Sequence, residues 1–122
     1  MPDVEEQKKR ALRRQILTLI EQKGFDTVWD DAYGSGRVDK PTSYGLRSRR
    51  IAILRSPPNA LLSVQLHPEA KPEEAVDLSD LLHSHLIIVD LLIPVSRQDD
   101  TFLLGLPSPQ EERPLPFRRI TF

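Results

Sequence analysis

The stretch that decides the fold runs from His85 to Val95 and has the sequence HLIIVDLLIPV. From Leu86 onward it carries one charge, Asp90, in an otherwise apolar run, which indicates burial in the protein or against a partner. The run is too short to span a bilayer, which needs about 20 apolar residues. Its β-branched neighbours favour a strand that begins at Leu86. The alternative is a helix that continues as far as Leu92, because periodicity alone does not separate the two.

Asp90 is the most informative residue of this run. On a strand it shares a face with Ile88 and Leu92, because side chains alternate between the two faces of a sheet. An unpaired buried carboxylate is costly in free energy. We therefore expect Asp90 to have a partner or to lie at an interface with another protein.

A long amphipathic helix is predicted over residues 3–24. Asp3 and Glu6 have the spacing of a capping box, and Gly24 suits the left-handed position that follows a helix. One apolar stripe at helical spacing is formed by Leu12, Ile16, Leu19 and Ile20. Such a stripe predicts a helix that packs on one side against the core.

The segment after this helix is predicted to contain a long loop and a hairpin. Residues 27–29 are expected to be extended, and residues 30–45 to form a long loop rich in glycine, proline, serine and aspartate. Two strands follow at 50–55 and 61–67, and the turn residues 56–59 predict that they pair as a hairpin. In the second strand apolar and polar residues alternate, which is typical of a strand with one buried face.

The second half of the chain is predicted to add a short helix and another hairpin. The helix begins at Pro72 and ends near Ser84. A turn at 97–100 joins the apolar run to a strand at 101–106. Residues 107–122 form a proline-rich tail, whose last residues can add an edge strand.

Together these elements predict an α+β fold with a single domain over residues 1–106. In this fold a long N-terminal helix and a short second helix pack on a mainly antiparallel sheet of four or five strands. The length of 122 residues suits one hydrophobic core rather than two.

Composition excludes several kinds of chemistry. The chain has no cysteine, which removes disulfides, thiolate zinc sites and cysteine nucleophiles. Its acidic start lacks the basic and then apolar order of a signal peptide. We therefore expect a cytoplasmic or virion location rather than secretion by a signal peptide.

The motifs of common enzymes and metal sites are missing from the sequence. The lone Gly34-Ser35-Gly36 lacks the third glycine of a dinucleotide loop and the lysine of a phosphate loop. The order of a helix, a glycine-containing loop and two strands is similar to that of small nuclease folds, but residues 64–67 lack the acid-x-lysine pattern that holds their metal. The sequence thus predicts a protein that is not an enzyme and has no cofactor or metal. An enzymatic alternative would use Asp80, His83, His85 and Asp90.

Charge is unevenly distributed along a chain whose net charge is −1. Residues 37–55 contain six basic residues and one acid, whereas residues 59–112 contain ten acids and two basic residues. Arginine side chains in such a segment can bind phosphates, and they can equally contact an acidic protein surface. The basic segment is therefore the best candidate for a binding function.

The leading hypothesis is a non-catalytic structural or assembly subunit that acts through protein–protein contacts. Its partners would be other subunits of a homo- or hetero-oligomer, such as a component of a viral or phage virion, and no membrane is expected. The alternative is a nucleic-acid-binding module that uses the basic segment 37–55, since nearby tyrosines can stack on bases. The predicted interaction residues are Arg37, Lys40, Tyr44, Arg47, Arg49, Arg50, Arg55, Asp90, Arg118 and Arg119.

Overall fold

The computed structural model describes residues 4–41, 48–83, 85–88 and 91–109. Within these ranges the chain forms two helices and eight strands. In chain order they are α1 (Val4–Gln22), β1 (Asp26–Asp30), β2 (Ser35–Lys40), β3 (Arg49–Arg55), β4 (Leu62–Leu66), α2 (Pro72–Leu81), β5 (His85–Ile88), β6 (Leu91–Gln98), β7 (Thr101–Leu104) and β8 (Ser108–Pro109).

The strands form one antiparallel sheet. The order across it is β1-β2-β3-β4-β7-β6-β5, and the two-residue strand β8 also pairs with β6. The α+β class and the antiparallel sheet are thus confirmed. The predicted strand count of four or five is wrong, because the main path of the described sheet has seven strands.

One additional strand comes from the apolar run, which is two strands rather than one. β5 and β6 pair with each other, with Ile88 opposite Leu91 and Leu86 opposite Ile93. The chain therefore reverses direction between Ile88 and Leu91, where an aspartate is a favoured residue type. The prediction of strand rather than helix is confirmed, whereas the prediction of one continuous strand is wrong. Asp90 itself lies outside the described residues.

Another additional strand lies in the stretch 30–45, which was expected to be a loop. β2 pairs with β1 on one side and with β3 on the other. Gly34 has a φ of +63° between β1 and β2, a conformation that glycine adopts without strain. Val38 is the one apolar residue of β2, so the strand lacks the alternating apolar pattern from which strands are predicted.

Both helices pack on one face of the sheet. Residues from α1, α2 and six strands form a single buried cluster, in which Ile20, Leu54 and Leu104 are fully buried. The edge strands β1 and β5 both contact α1, so the sheet curls around this helix. Neither described helix is long and apolar enough to cross a membrane.

The predicted elements on either side of the sheet centre agree with the structure. α1 ends at Gln22, and Gly24 follows it with a φ of +97°. β3 pairs with β4, and β6 pairs with β7, so both predicted hairpins are confirmed. Pro72 begins α2 as expected.

Candidate interaction surface

The sheet face that turns away from the helices is the candidate interaction surface, and we call it the open face. Val38, Leu54 and Val64 are fully buried on the helix side, so their strand neighbours point to the other side. The register places Arg37 between Val28 and Ile53 on this side. Among the described residues, the side chains of the open face include Asp26, Val28, Asp30, Ser35, Arg37, Asp39, Arg50, Ile53, Arg55, Ser63, Gln65, Ser96, Gln98, Thr101 and Leu103.

Two arginines of the predicted binding segment share one carboxylate on the open face. Arg37 Nε donates to Asp39 Oδ2, and Arg50 Nε donates to Asp39 Oδ1, each over 3.0 Å. The Asp39 side chain is 14% exposed, whereas those of Arg37 and Arg50 are 44% and 38% exposed. The acid therefore fixes the positions of two guanidinium groups that remain accessible to a partner.

Charges on the open face are balanced. In the part of the sheet that the structure describes, its cations are Arg37, Arg50 and Arg55, and its anions are Asp26, Asp30 and Asp39. The acids of β1 lie on the edge strand, and the arginines lie on the two strands beside it. This arrangement disfavours a polyanion, which binds best to a surface of uniform positive charge.

Lys40 and Arg49 are on the opposite side of the sheet. Lys40 follows Asp39 in β2, and Arg49 is its partner in β3, where a bulge between the pairs Val38–Ala52 and Asp39–Arg50 shifts the alternation and keeps Arg50 on the open face. Lys40 Nζ lies 4.8 Å from the centre of the Phe25 ring. Arg49 forms an ion pair with Glu74 of α2. The basic segment is thus divided between two faces instead of forming one patch.

The other predicted interaction residues cannot be assigned to either face. Tyr44, Arg47, Asp90, Arg118 and Arg119 lie outside the described residues. Their involvement in binding stays a prediction.

The residues of the enzymatic alternative are only partly described. Asp80 and His83 line a cleft of about 180 Å³ together with Arg97 and Phe102. The side chain of His85 lies outside the described part of the structure, and so does Asp90. Among the side chains that are described, no three are grouped so as to hold a metal ion.

Sequence reasoning missed a buried cation on α1. Arg13 is only 4% exposed. Its Nε donates to the carbonyl oxygen of Leu61 over 3.3 Å, and its Nη2 donates to Ser56 Oγ over 3.0 Å. The helical spacing of the sequence indicates this burial, because Leu17 follows Arg13 by four residues and both lie on the buried side of the helix.

Comparison of the chain with models of protein families, with curated proteins and with solved structures found no match. Two geometric features of the described residues bear on function. One is the balanced charge of the open face, and the other is the groove beside Arg13.

Proposed function

We propose that this protein is a non-catalytic assembly subunit that associates with a second copy of itself through the open face. The observation that carries this proposal is the pairing of equal and opposite charges with exposed apolar side chains on the side of the sheet that neither described helix covers. The apolar part and the charged part of this surface both suit a protein partner.

Exposed apolar side chains of the open face lie on both sides of the strand β3. Val28 is 44% exposed and Leu103 is 41% exposed, while Ile53 between them is half-buried. Large apolar side chains held on a rigid sheet lose unfavourable contact with water when a partner covers them. Burial of these side chains would stabilise the dimer by about 25 cal/mol for each Å² of apolar area that is removed from water.

The charged part of the open face is self-complementary. Acids lie on the edge strand β1, while arginines lie on β2 and β3. In a two-fold dimer both subunits use the same patch. If an acid of one copy contacts an arginine of the other copy, the same pair also forms with the roles of the two copies exchanged. Asp26 and Asp30 of one copy can therefore face arginines such as Arg55 of the other copy. This matching of opposite charges gives orientation and specificity.

The balance of charge argues against the nucleic-acid alternative. Of the three arginines that the structure describes on the open face, two are already paired with Asp39. A nucleic-acid duplex has one negatively charged phosphate about every 1.7 Å along its axis. Binding through the arginines would hold the three neighbouring carboxylates close to these phosphates, and the like charges would repel one another. Binding of labelled DNA or RNA at low salt would contradict this reasoning.

The proposal is tested by measuring the mass in solution of the protein and of two lysine variants. Leu103→Lys places a charge on the open face, and the matched control Val76→Lys changes an apolar residue of α2 that is 55% exposed. Sedimentation equilibrium is expected to give a dimer for the parent protein and for Val76→Lys, but a monomer for Leu103→Lys. A monomeric parent protein at all concentrations, or equal dimerisation of the two variants, would refute the proposal.

A further inference from the structure

A groove between α1 and the edge strand β1 has the dimensions of a small-molecule site. Its volume is about 400 Å³, within the usual range of roughly 300–1,000 Å³ for ligand pockets. α1 contributes one side and Thr27, Trp29 and Asp31 contribute the other. The groove is on the helix side of the sheet, so it is separate from the open face.

The floor of this groove is the buried guanidinium of Arg13. Arg13 is 4% exposed and its guanidinium carbon lies 4.9 Å from the centre of the Trp29 ring. Burial lowers the pKa of Arg13, while Glu6 and Asp31 act in the opposite direction. Two neutral oxygens accept hydrogen bonds from it, and the other three of its five N–H groups have no acceptor among the described residues.

Two more arginines extend the positive charge from the floor to the rim. Arg10 and Arg14 line the groove and are exposed. Arg10 forms a half-exposed ion pair with Glu6, in which Arg10 Nε lies 3.8 Å from Glu6 Oε1. Arg14 forms no ion pair with another described residue. Positions 10, 13 and 14 are neighbours on one helix face, so their like charges repel one another in the absence of an anion.

The acids in the groove are engaged by neutral donors of β1. Trp29 Nε1 donates to Asp31 Oδ1 over 2.8 Å. Thr27 Oγ1 donates to the carboxylate of Glu21. These hydrogen bonds hold both carboxylates against the strand, and among the described residues neither carboxylate forms an ion pair with an arginine of the helix.

We propose that this groove binds a small molecule that carries an oxyanion, either a carboxylate or a phosphate, on an apolar body. The oxyanion is held by Arg13 at the floor and by Arg10 and Arg14 at the rim. Guanidinium groups suit this role because their N–H groups form a planar fork that matches two oxygens at once. The apolar body packs against Leu17 and Trp29, which supply the apolar part of the lining.

The test uses the fact that Trp29 is the single tryptophan of the chain, so its fluorescence reports on the groove alone. The protein is titrated with phenyl phosphate and, separately, with benzoate. The chemical shift of the Trp29 indole N–H is followed by NMR as a second readout. A saturable change with a Kd of about 1 mM or below is expected for at least one of the two ligands. Binding of one alone identifies the oxyanion, and binding of both shows that the site accepts either.

Two variants of α1 distinguish binding of the ligand in the groove from nonspecific attraction of the anion to any exposed cation of the helix. Arg14→Gln is expected to raise the Kd about tenfold, as the loss of one charge-assisted hydrogen bond requires. The matched control Lys8→Gln removes an exposed cation of α1 outside the groove and should leave the Kd unchanged. The proposal is overturned if neither ligand changes either signal at about 50 mM, where even a weak site would be filled. It is also overturned if Lys8→Gln weakens binding as much as Arg14→Gln does.

Discussion

The ion pair between Arg49 and Glu74 joins β3 to the first turn of α2, and its removal gives a quantitative test of the fold. Glu74 is 6% exposed, and its Oε1 accepts a hydrogen bond from the backbone N–H of Lys71 over 2.9 Å. Its Oε2 accepts from Arg49 Nη2. Arg49→Met would keep the length of the side chain and leave the carboxylate with a single backbone donor.

The expected cost of Arg49→Met is about 2 kcal/mol of unfolding free energy. Loss of one partner of a fully buried ion pair costs about 3–5 kcal/mol, and an exposed pair contributes about 0–1 kcal/mol. The Arg49 side chain is 28% exposed and that of Glu74 is 8% exposed, which places this pair between the two limits. Arg49 Nε is also a buried donor that has no acceptor among the described residues, so the removal of this N–H group recovers part of the lost free energy.

A double-mutant cycle in urea measures this interaction directly. Glu74→Gln keeps the shape of the side chain and its bond to Lys71, and alone it should cost about 1 kcal/mol. The double variant should also lose about 1 kcal/mol, because no unpaired charge then remains buried, which gives a coupling energy of about 2 kcal/mol. A coupling energy near zero would refute the reasoning and would show that water solvates both charges.

Two further predictions concern the core and the end of α1. Leu104→Ala removes a fully buried side chain and should lower the unfolding free energy by about 3 kcal/mol, whereas Val76→Ala, at a position 55% exposed, should change it by less than about 0.5 kcal/mol. Gly24→Ala places a side chain at a φ of +97° and should cost about 1 kcal/mol, with Lys23→Ala as its exposed control. Urea denaturation of each variant measures these differences, and equal values for a variant and its control would contradict the burial or the backbone strain on which the prediction depends.

The elements that could be predicted from the sequence are those whose pattern has a regular period. The apolar stripe of α1 recurs at helical spacing, and the helix is found at Val4–Gln22. In β4, Leu62 and Val64 are fully buried and the polar residues between and after them are not. In both cases one face is buried and the other is wet, so the period is visible in the residue types.

The elements that were missed have no such period. In the stretch His85–Val95 almost every residue is apolar, so the pattern has no period, and Asp90 is the single residue whose type favours a turn between β5 and β6. In β2 the open-face residues Arg37 and Asp39 pair with each other, and the glycine, proline, serine and aspartate content of the segment predicted a loop instead of a strand. Pairing with β1 and β3 makes β2 a strand, and pairing with β5 and β7 sets the limits of β6. Such pairing is not encoded in local propensity.

The candidate sites show the same limit. The basic segment was recognisable as a charge run, but its division between two faces depends on strand alternation in β2, which was not predicted. Asp26 and Asp30 balance these arginines only because β1 pairs with β2. Arg13 is a single charge in a helix rich in basic residues, and its burial depends on Leu61 and Ser56, more than 40 residues further along the chain.

The central claim, that two copies meet through the open face, is tested most directly by distances between spin labels. The chain has no cysteine, so Gln65→Cys on the open face and Asp77→Cys on the exposed side of α2 each give one label per copy. Pulsed electron paramagnetic resonance should show an inter-copy distance for both. The distance from position 65 should be shorter by about 20 Å, since α2, which is about 10 Å thick, lies between position 77 and the sheet in each copy. An absent dipolar signal, or a shorter distance at position 77, would contradict the claim.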